Sequence, residues 1–214
     1  MGKITDISKQ KRVKTRVNIY IDGEFACGLD EVTVAAARIK LGDEITAEEL
    51  KALAGRSEIV GAFERAVGYL SIAPRAKREI EKYLRDKGYD TETISAVIEK
   101  LVAYRYIDDT AYAQSYIRSK LKKYGSFRIK AELRKKGIPD AVIDELLTDG
   151  EDMENDGALD VARRYIRSHG EADVRKLKRF LAGRGYSWDR IARTVDALKS
   201  DGVFDSSEDD DFYD

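Results

Sequence analysis

Apolar and polar positions alternate from Arg16 to Ile21, which puts Val17, Ile19 and Ile21 on one face of an extended segment. Asp22-Gly23 follows, then "EFACGL". An Asp-Gly pair accepts the positive φ of a tight two-residue turn, so "RVNIYIDGEFACGL" predicts a β-hairpin. A lone hairpin is marginal in water and needs helices to pack on. Two helical stretches come next, "DEVTVAAARIK" and "TAEELKALAGRSEIVGAFERAVGYL", divided at Gly42. Asp30 is placed to cap the first, and Thr46 with Glu49 forms a capping box for the second.

Beyond this segment the pattern repeats. "YIRS" occurs at Tyr116–Ser119 and again at Tyr165–Ser168, 49 residues later. The surrounding positions align in three copies. Ala66, Ala113 and Ala162 each precede a tyrosine by three residues: Tyr69, Tyr116 and Tyr165. Ile80, Ile129 and Leu177 correspond, as do Leu84, Leu133 and Leu181. Gly88, Gly137 and Gly185 follow at spacings of 49 and 48, with Ile94, Ile143 and Ile191 six residues beyond. The first and third copies end alike, at Ile107-Asp108 and Phe204-Asp205. Such a period belongs to repeated helical units.

Each copy reads as three short helices. The second spaces its apolar residues four apart and stops at glycine, a natural residue for the left-handed turn after a helix. Lys87, Lys136 or Arg184 precedes that glycine and places positive charge at the negative end of the helix dipole. Thr91 and Ser187 are candidate caps of third helices, and Pro139 suits a first-turn position. The expected fold is mainly α: tandem three-helix repeats in an extended curved body, with an N-terminal hairpin and helices. The organisation drawn from this is 1–62 for the N-terminal region, then repeats at 63–110, 111–158 and 159–205, and an acidic, disordered tail at 206–214.

Charge sharpens the picture. The net charge is −1, yet the last fourteen residues hold seven acids and no base. Arg118 to Lys136 holds nine bases and one acid, and Asp140 to Asp160 nine acids and no base. Blocks of this kind suit a charged partner or solvated helix faces. Lys9 to Arg16 is also basic, readable as a nucleic-acid arm or as a solvated leader into an edge strand. No signal peptide or membrane span is evident, so the expected location is the cytoplasm.

Little chemistry is available. One cysteine, Cys27, excludes a disulfide framework and a cysteine-based metal cluster, and one histidine, His169, leaves a zinc site short of its usual ligands. No phosphate-binding loop or zinc-protease motif occurs. Asp108 and Asp109 are adjacent carboxylates, but Asp108 reads as the cap of the helix that follows. No catalytic residue, metal or cofactor is assigned. Two binding classes remain. In "RSKLKKYGSFRIKAELRKKG", Lys and Arg are placed for phosphates, and Tyr124 and Phe127 are either base-stacking or core aromatics. Alternatively the repeats dock on another protein.

Several stretches in order resemble the RecX family, regulators of the bacterial recombinase RecA. They are "VNIYIDGEFACGL", "AVGYLSIAPRAKREIEKYLRDKGY", "LVAYRYIDDTAYAQSYIRSKLKKYGSFRIKAELRKKGI" and "VARRYIRSHG", within Val13 to Phe204. The resemblance implies a non-enzymatic modulator, mainly an inhibitor, acting in DNA repair, recombination and the SOS response. It would bind the RecA filament on single-stranded DNA in its groove and limit filament extension, strand exchange, ATP hydrolysis and coprotease activity. The alternative is an independent DNA-binding protein. A monomer is expected, with weak direct DNA binding and no membrane partner. The partner-contact candidates are Arg118, Lys120, Lys122, Lys123, Arg128, Lys130, Arg134, Lys135, Lys136 and Arg167. Tyr69, Asp108, Asp109, Tyr112, Tyr116, Tyr165, Gly88, Gly137 and Gly185 are assigned to the structural motif. "DGEDMENDG" reads as a charged insertion between repeats, and the acidic tail departs from the family pattern.

Overall fold

The computed structural model describes residues 1–11, 13–169 and 173–204; Asp205 and the tail expected at 206–214 lie outside the described residues. Two compact units follow one another, Met1–Ile107 and the chain from Asp108 onward.

The first unit opens with a sheet. Strands β1 (Gly2–Lys9), β2 (Arg16–Ile21), β3 (Glu24–Asp30) and β4 (Glu44–Ile45) are antiparallel neighbours in the order β3-β2-β1-β4. The expected hairpin is β2–β3, with Ile21 opposite Glu24 across Asp22 and Gly23, whose φ values are 50° and 87°. Positive φ at both central residues is the turn that matches strand twist. The leader reading needs one correction: β2, into which Lys9–Arg16 runs, is not an edge strand but pairs with both β1 and β3, and before the lead stands a further strand, Gly2–Lys9, itself paired on both sides. A register shift between Ile4 and Asp6 explains why alternation does not reveal it: a bulge breaks the period of two. Ile4 joins Val17, Ile19, Leu29, Ile45 and Leu53 in the sheet's core. The basic lead is fastened at both ends. Lys9 pairs with Glu31 at 3.0 Å and Arg16 donates to the Gly28 carbonyl at 2.7 Å.

Helix α1 (Glu31–Ala36) is capped by Asp30, which accepts from Val32 N–H at 3.0 Å. It is shorter than expected because Arg38 turns left-handed at φ 54°. Helix α2 (Ala47–Leu70) begins at the Thr46–Glu49 capping box. Its first half buries Leu53 against the sheet, and Ser57 Oγ accepts from Asp30 N–H at 2.6 Å. Its second half buries Ala62 and Ala66 in the core of the first repeat. One helix thus serves two cores, and residues 62 and 63 both lie inside it. Helices α3 (Lys77–Asp86) and α4 (Thr91–Ala103) complete that repeat.

The second unit holds α5 (Asp109–Lys120), α6 (Ser126–Lys135) and α7 (Asp140–Thr148), then α8 (Glu151–His169), α9 (Val174–Gly183) and α10 (Trp188–Ser200). The fold is mainly α-helical, built of three-helix repeats with an N-terminal β region. The aligned positions do the same work in each copy. Ala66, Ala113, Ala162, Ile80, Ile129, Leu177, Leu84, Leu133 and Leu181 are all fully buried. Burying one such large aliphatic side chain contributes about 1.5–3 kcal/mol. Gly88, Gly137 and Gly185 adopt φ of 89°, 88° and 86°, the left-handed turn that ends each second helix.

Some local readings shift. Asp90, not Thr91, caps α4, accepting from Thr93 N–H at 2.7 Å, because the longer-reaching carboxylate stands one residue earlier. Ser187 caps α10 as expected. Pro139 stands at the cap position of α7 rather than inside its first turn. The acidic "DGEDMENDG", read as an insertion between repeats, is mostly helix: Glu151 onward forms the first turns of α8, where acids favour the helix N-terminus.

Candidate functional site

The second unit carries its chemistry on a ladder of rings and cations. Tyr112 and Tyr116 stand four apart on α5, so they share a face, with ring centroids 6.1 Å apart. Lys136, which ends α6, places Nζ 5.5 Å from the Tyr112 ring and 5.9 Å from that of Tyr116. Lys120 lies 5.3 Å from Tyr116 and 5.8 Å from Tyr124. Arg128 and Arg184 approach Tyr124 at 4.2 and 5.5 Å. Arg184 also lies 4.9 Å from Phe180, which stacks on Tyr165 at 4.3 Å; Tyr165 in turn stacks on His169 at 4.2 Å. The ladder crosses from the second repeat to the third. Each exposed cation–ring contact contributes about 0.5–1 kcal/mol.

Backbone contacts hold the two repeats in that register. Gly125 N–H donates to the Arg184 carbonyl at 3.1 Å and Phe127 N–H to that of Gly185 at 3.1 Å. A Cβ on Gly125 would stand 2.2 Å from the Gly185 carbonyl oxygen, so only glycine permits the approach. Buried Glu154 accepts from Ser126 N–H at 2.7 Å and faces the buried Arg190 guanidinium at 3.8 Å. Burial and the nearby Glu154 carboxylate push the Tyr186 phenol up to about 12.

The predicted contact residues separate into three groups. Arg128 pairs with Glu132 at 3.1 Å, Lys130 with Asp144 at 2.5 Å, and Arg134 with Asp140 at 2.6 Å. The strip from Arg118 to Lys136 is therefore partly neutralised by the acidic block that follows it. The Asp140 carboxyl is held below its usual range by hydrogen bonds from Arg134. Lys120 and Lys136 are engaged with rings. Arg118, Lys122, Lys123, Lys135 and Arg167 are exposed, and their side chains have no partner among the described residues. Phe127 is 64% exposed, whereas Tyr124 is half-buried in the ladder, so neither is a core aromatic.

Of the motif residues, Asp108 caps α5, accepting from Ala111 N–H at 2.9 Å. Tyr69 stacks on Tyr83 at 4.2 Å with Arg75 over its ring at 4.8 Å. Phe180 and Arg184 were missed as ladder members. Their signal was present: Tyr83, Glu132 and Phe180 all stand five residues before the repeated glycine. Among the described residues no group of His, Cys, Asp or Glu is arranged to hold a metal ion, and no helix is long and apolar enough to cross a membrane.

Known proteins resemble this chain in sequence and in fold. Residues 2–46 match the model of the regulatory protein RecX N-terminal domain. Residues 62–101 and 108–147 match those of the first and second RecX three-helix domains. The chain belongs to the RecX family. The first RecX three-helix match opens at Ala62, where α2 passes from the sheet core to the repeat core. Regulatory protein RecX of Clostridium tetani is 34% identical over 94% of this chain and 97% of its own, and that of Clostridium botulinum strain Alaska E43 is 34% identical over 91% and 95%. A crystal structure of regulatory protein RecX superposes with a TM-score of 0.73 at 30% identity, covering 92% of this chain and all of the other. RecX from Lactobacillus salivarius gives a TM-score of 0.61 at 28% identity over 67% of this chain.

Proposed function

We propose that this RecX-family protein is a non-enzymatic modulator, mainly an inhibitor, of RecA. It binds the recombinase filament on single-stranded DNA, within the filament groove, and limits filament extension. Strand exchange, ATP hydrolysis and coprotease activity fall as a consequence. The observation that carries this reading is the ladder joining two repeats into one charged and aromatic face, in a chain that matches RecX along nearly its whole length. Tandem repeats offer similar outer faces at a fixed period, which suits a partner that is itself periodic.

The exposed cations Arg118, Lys122, Lys123, Lys135 and Arg167 are the contacts assigned to the partner; Arg118 and Arg167 stand two residues after Tyr116 and Tyr165, so they project from the other side of their helices and widen the surface beyond the ladder. They approach acidic protein surface or exposed phosphates, and their contribution weakens as salt rises. Arg128, Lys130 and Arg134 support the face from within, because each already holds a carboxylate of this chain. The test is RecA ATP hydrolysis on single-stranded DNA, titrated with the protein and with a variant carrying glutamate at those five exposed positions. Hydrolysis falls with the wild type and recovers with the variant. Equal inhibition by both removes the assignment of this surface, and no inhibition by either removes the function.

A further inference from the structure

The chain leaves the third repeat beside α8. Phe204 is buried in that repeat's core with Ala158, Val161 and Ala162 of α8, and Asp201 pairs with Arg163 of the same helix at 2.8 Å. Ten residues follow, "DSSEDDDFYD", with six acids and no base; they lie outside the described residues. Ten residues span at most about 36 Å.

Cations stand within that reach. Arg167 is one helical turn beyond Arg163, on the same face of α8. Arg164, next to Arg163, donates to the Lys122 carbonyl at 3.5 Å, and Arg184 donates to the Lys123 carbonyl at 3.4 Å. Gly157 permits the close approach of α8 to this turn, since a Cβ there would stand 2.2 Å from the Leu121 carbonyl oxygen. Lys122 and Lys123 therefore border α8, and a helix with its side chains is only about 10–12 Å across. Lys122, Lys123 and Arg167 are exposed, and their side chains have no partner among the described residues. On α10, by contrast, Arg193 is already taken by Asp189 at 2.9 Å. The second repeat shows acids folding back onto the bases before them: Asp140 pairs with Arg134, and Asp144 with Lys130.

We propose that the acidic segment Asp205–Asp214 turns back on its own unit and occupies Lys122, Lys123 and Arg167, as a tethered competitor for an anionic partner of that surface. Exposed ion pairs are individually weak, but tethering offsets this: a segment joined through a few residues is present at an effective concentration on the order of millimolar. Six acids facing three cations leave the segment bound at low salt. A partner that presents more negative charge displaces it, and so does added salt, which screens exposed pairs. The proposal adds regulation to the surface assigned above and rests on that assignment. Its test contains no recombinase, so the two readings fail separately.

The experiment treats the full protein with a carbodiimide, which joins a carboxylate to an amine only where the two touch, and maps the joined peptides by mass spectrometry. Cross-links from the acidic segment to Lys122 or Lys123 are expected, with a yield that dilution leaves unchanged and that falls about fivefold by about 0.5 M salt. The second readout is binding of fluorescein-labelled polyglutamate to the full-length variant Glu208→Gln/Asp209→Asn/Asp210→Asn/Asp211→Asn. It binds about tenfold tighter than wild type at about 50 mM salt, and the gain disappears when Lys122→Gln/Lys123→Gln/Arg167→Gln is added. The control Glu24→Gln/Glu44→Gln/Glu58→Gln/Glu64→Gln removes the same charge from exposed positions of the first unit and changes binding little. Absence of cross-links to both lysines, a yield that falls with dilution, no gain in the variant, or an equal gain in the control overturns the proposal.

Discussion

The Tyr116 hydroxyl donates a hydrogen bond to the Glu132 carboxylate at the place where the other two repeats stack aromatic rings, Tyr69 on Tyr83 and Tyr165 on Phe180. The same backbone site thus carries a ring pair in two repeats and a charged hydrogen bond in the middle one. That exchange brings a carboxylate into the ladder, where it also accepts from Arg128. The Tyr116 hydrogen bond, then that of Arg128, holds the Glu132 carboxyl below its usual range. Burial, then the same hydrogen bond, drives the Tyr116 phenol upward.

A carboxyl whose pKa is lower folded than unfolded stabilises the fold above the unfolded value and loses that contribution as pH falls through the folded one. Glu132→Gln is therefore expected to destabilise the protein by about 1 kcal/mol at neutral pH, after allowance for solvent screening. The difference from wild type shrinks as acid titrates the carboxylate. Glu132→Tyr, which copies the first repeat, costs less. Urea unfolding at a series of pH values measures all three.

Glu154 and Arg190 are the buried ion pair of the third repeat. Glu154→Ala strands the Arg190 guanidinium and frees the Ser126 N–H, at an expected cost of about 3 kcal/mol. Replacing both, as Glu154→Leu/Arg190→Met, recovers most of the loss, because an apolar pair needs no compensation. A double-mutant cycle by urea unfolding checks this.

Glycines divide by what a methyl group would meet. Gly125→Ala drives Cβ into the Gly185 backbone, with an expected cost of about 2 kcal/mol or more. Gly55, Gly61 and Gly68 lie in α2 with nothing within 4 Å of an added Cβ. Changing those three to alanine stabilises the first unit by about 0.5–1 kcal/mol each. Thermal unfolding of the two variants is expected to move in opposite directions.

Local chemistry was legible in the sequence. Asp22-Gly23 announced the hairpin, Thr46–Glu49 the start of α2, and the aligned Ala, Leu and Gly positions the repeats. The β1 strand was not, because its register shift separates Ile4 from Ile7 by an odd interval. Nor was the pairing inside the basic strip. Charge totals count Lys130 and Arg134 as free, whereas α7 brings Asp144 and Asp140 onto them. Arg118 and Arg167, the arginines of the two YIRS copies, look alike in sequence and are both exposed in the fold.

The central claim is that the protein recognises the assembled filament. The most direct measurement is binding of the fluorescently labelled protein to RecA on single-stranded DNA with a slowly hydrolysed ATP analogue, beside free RecA and bare DNA. Preference for the filament over both, lost when Arg118, Lys122, Lys123, Lys135 and Arg167 become glutamate in a protein of unchanged helicity, is the predicted result. Binding to bare DNA as tight as to the filament would contradict it.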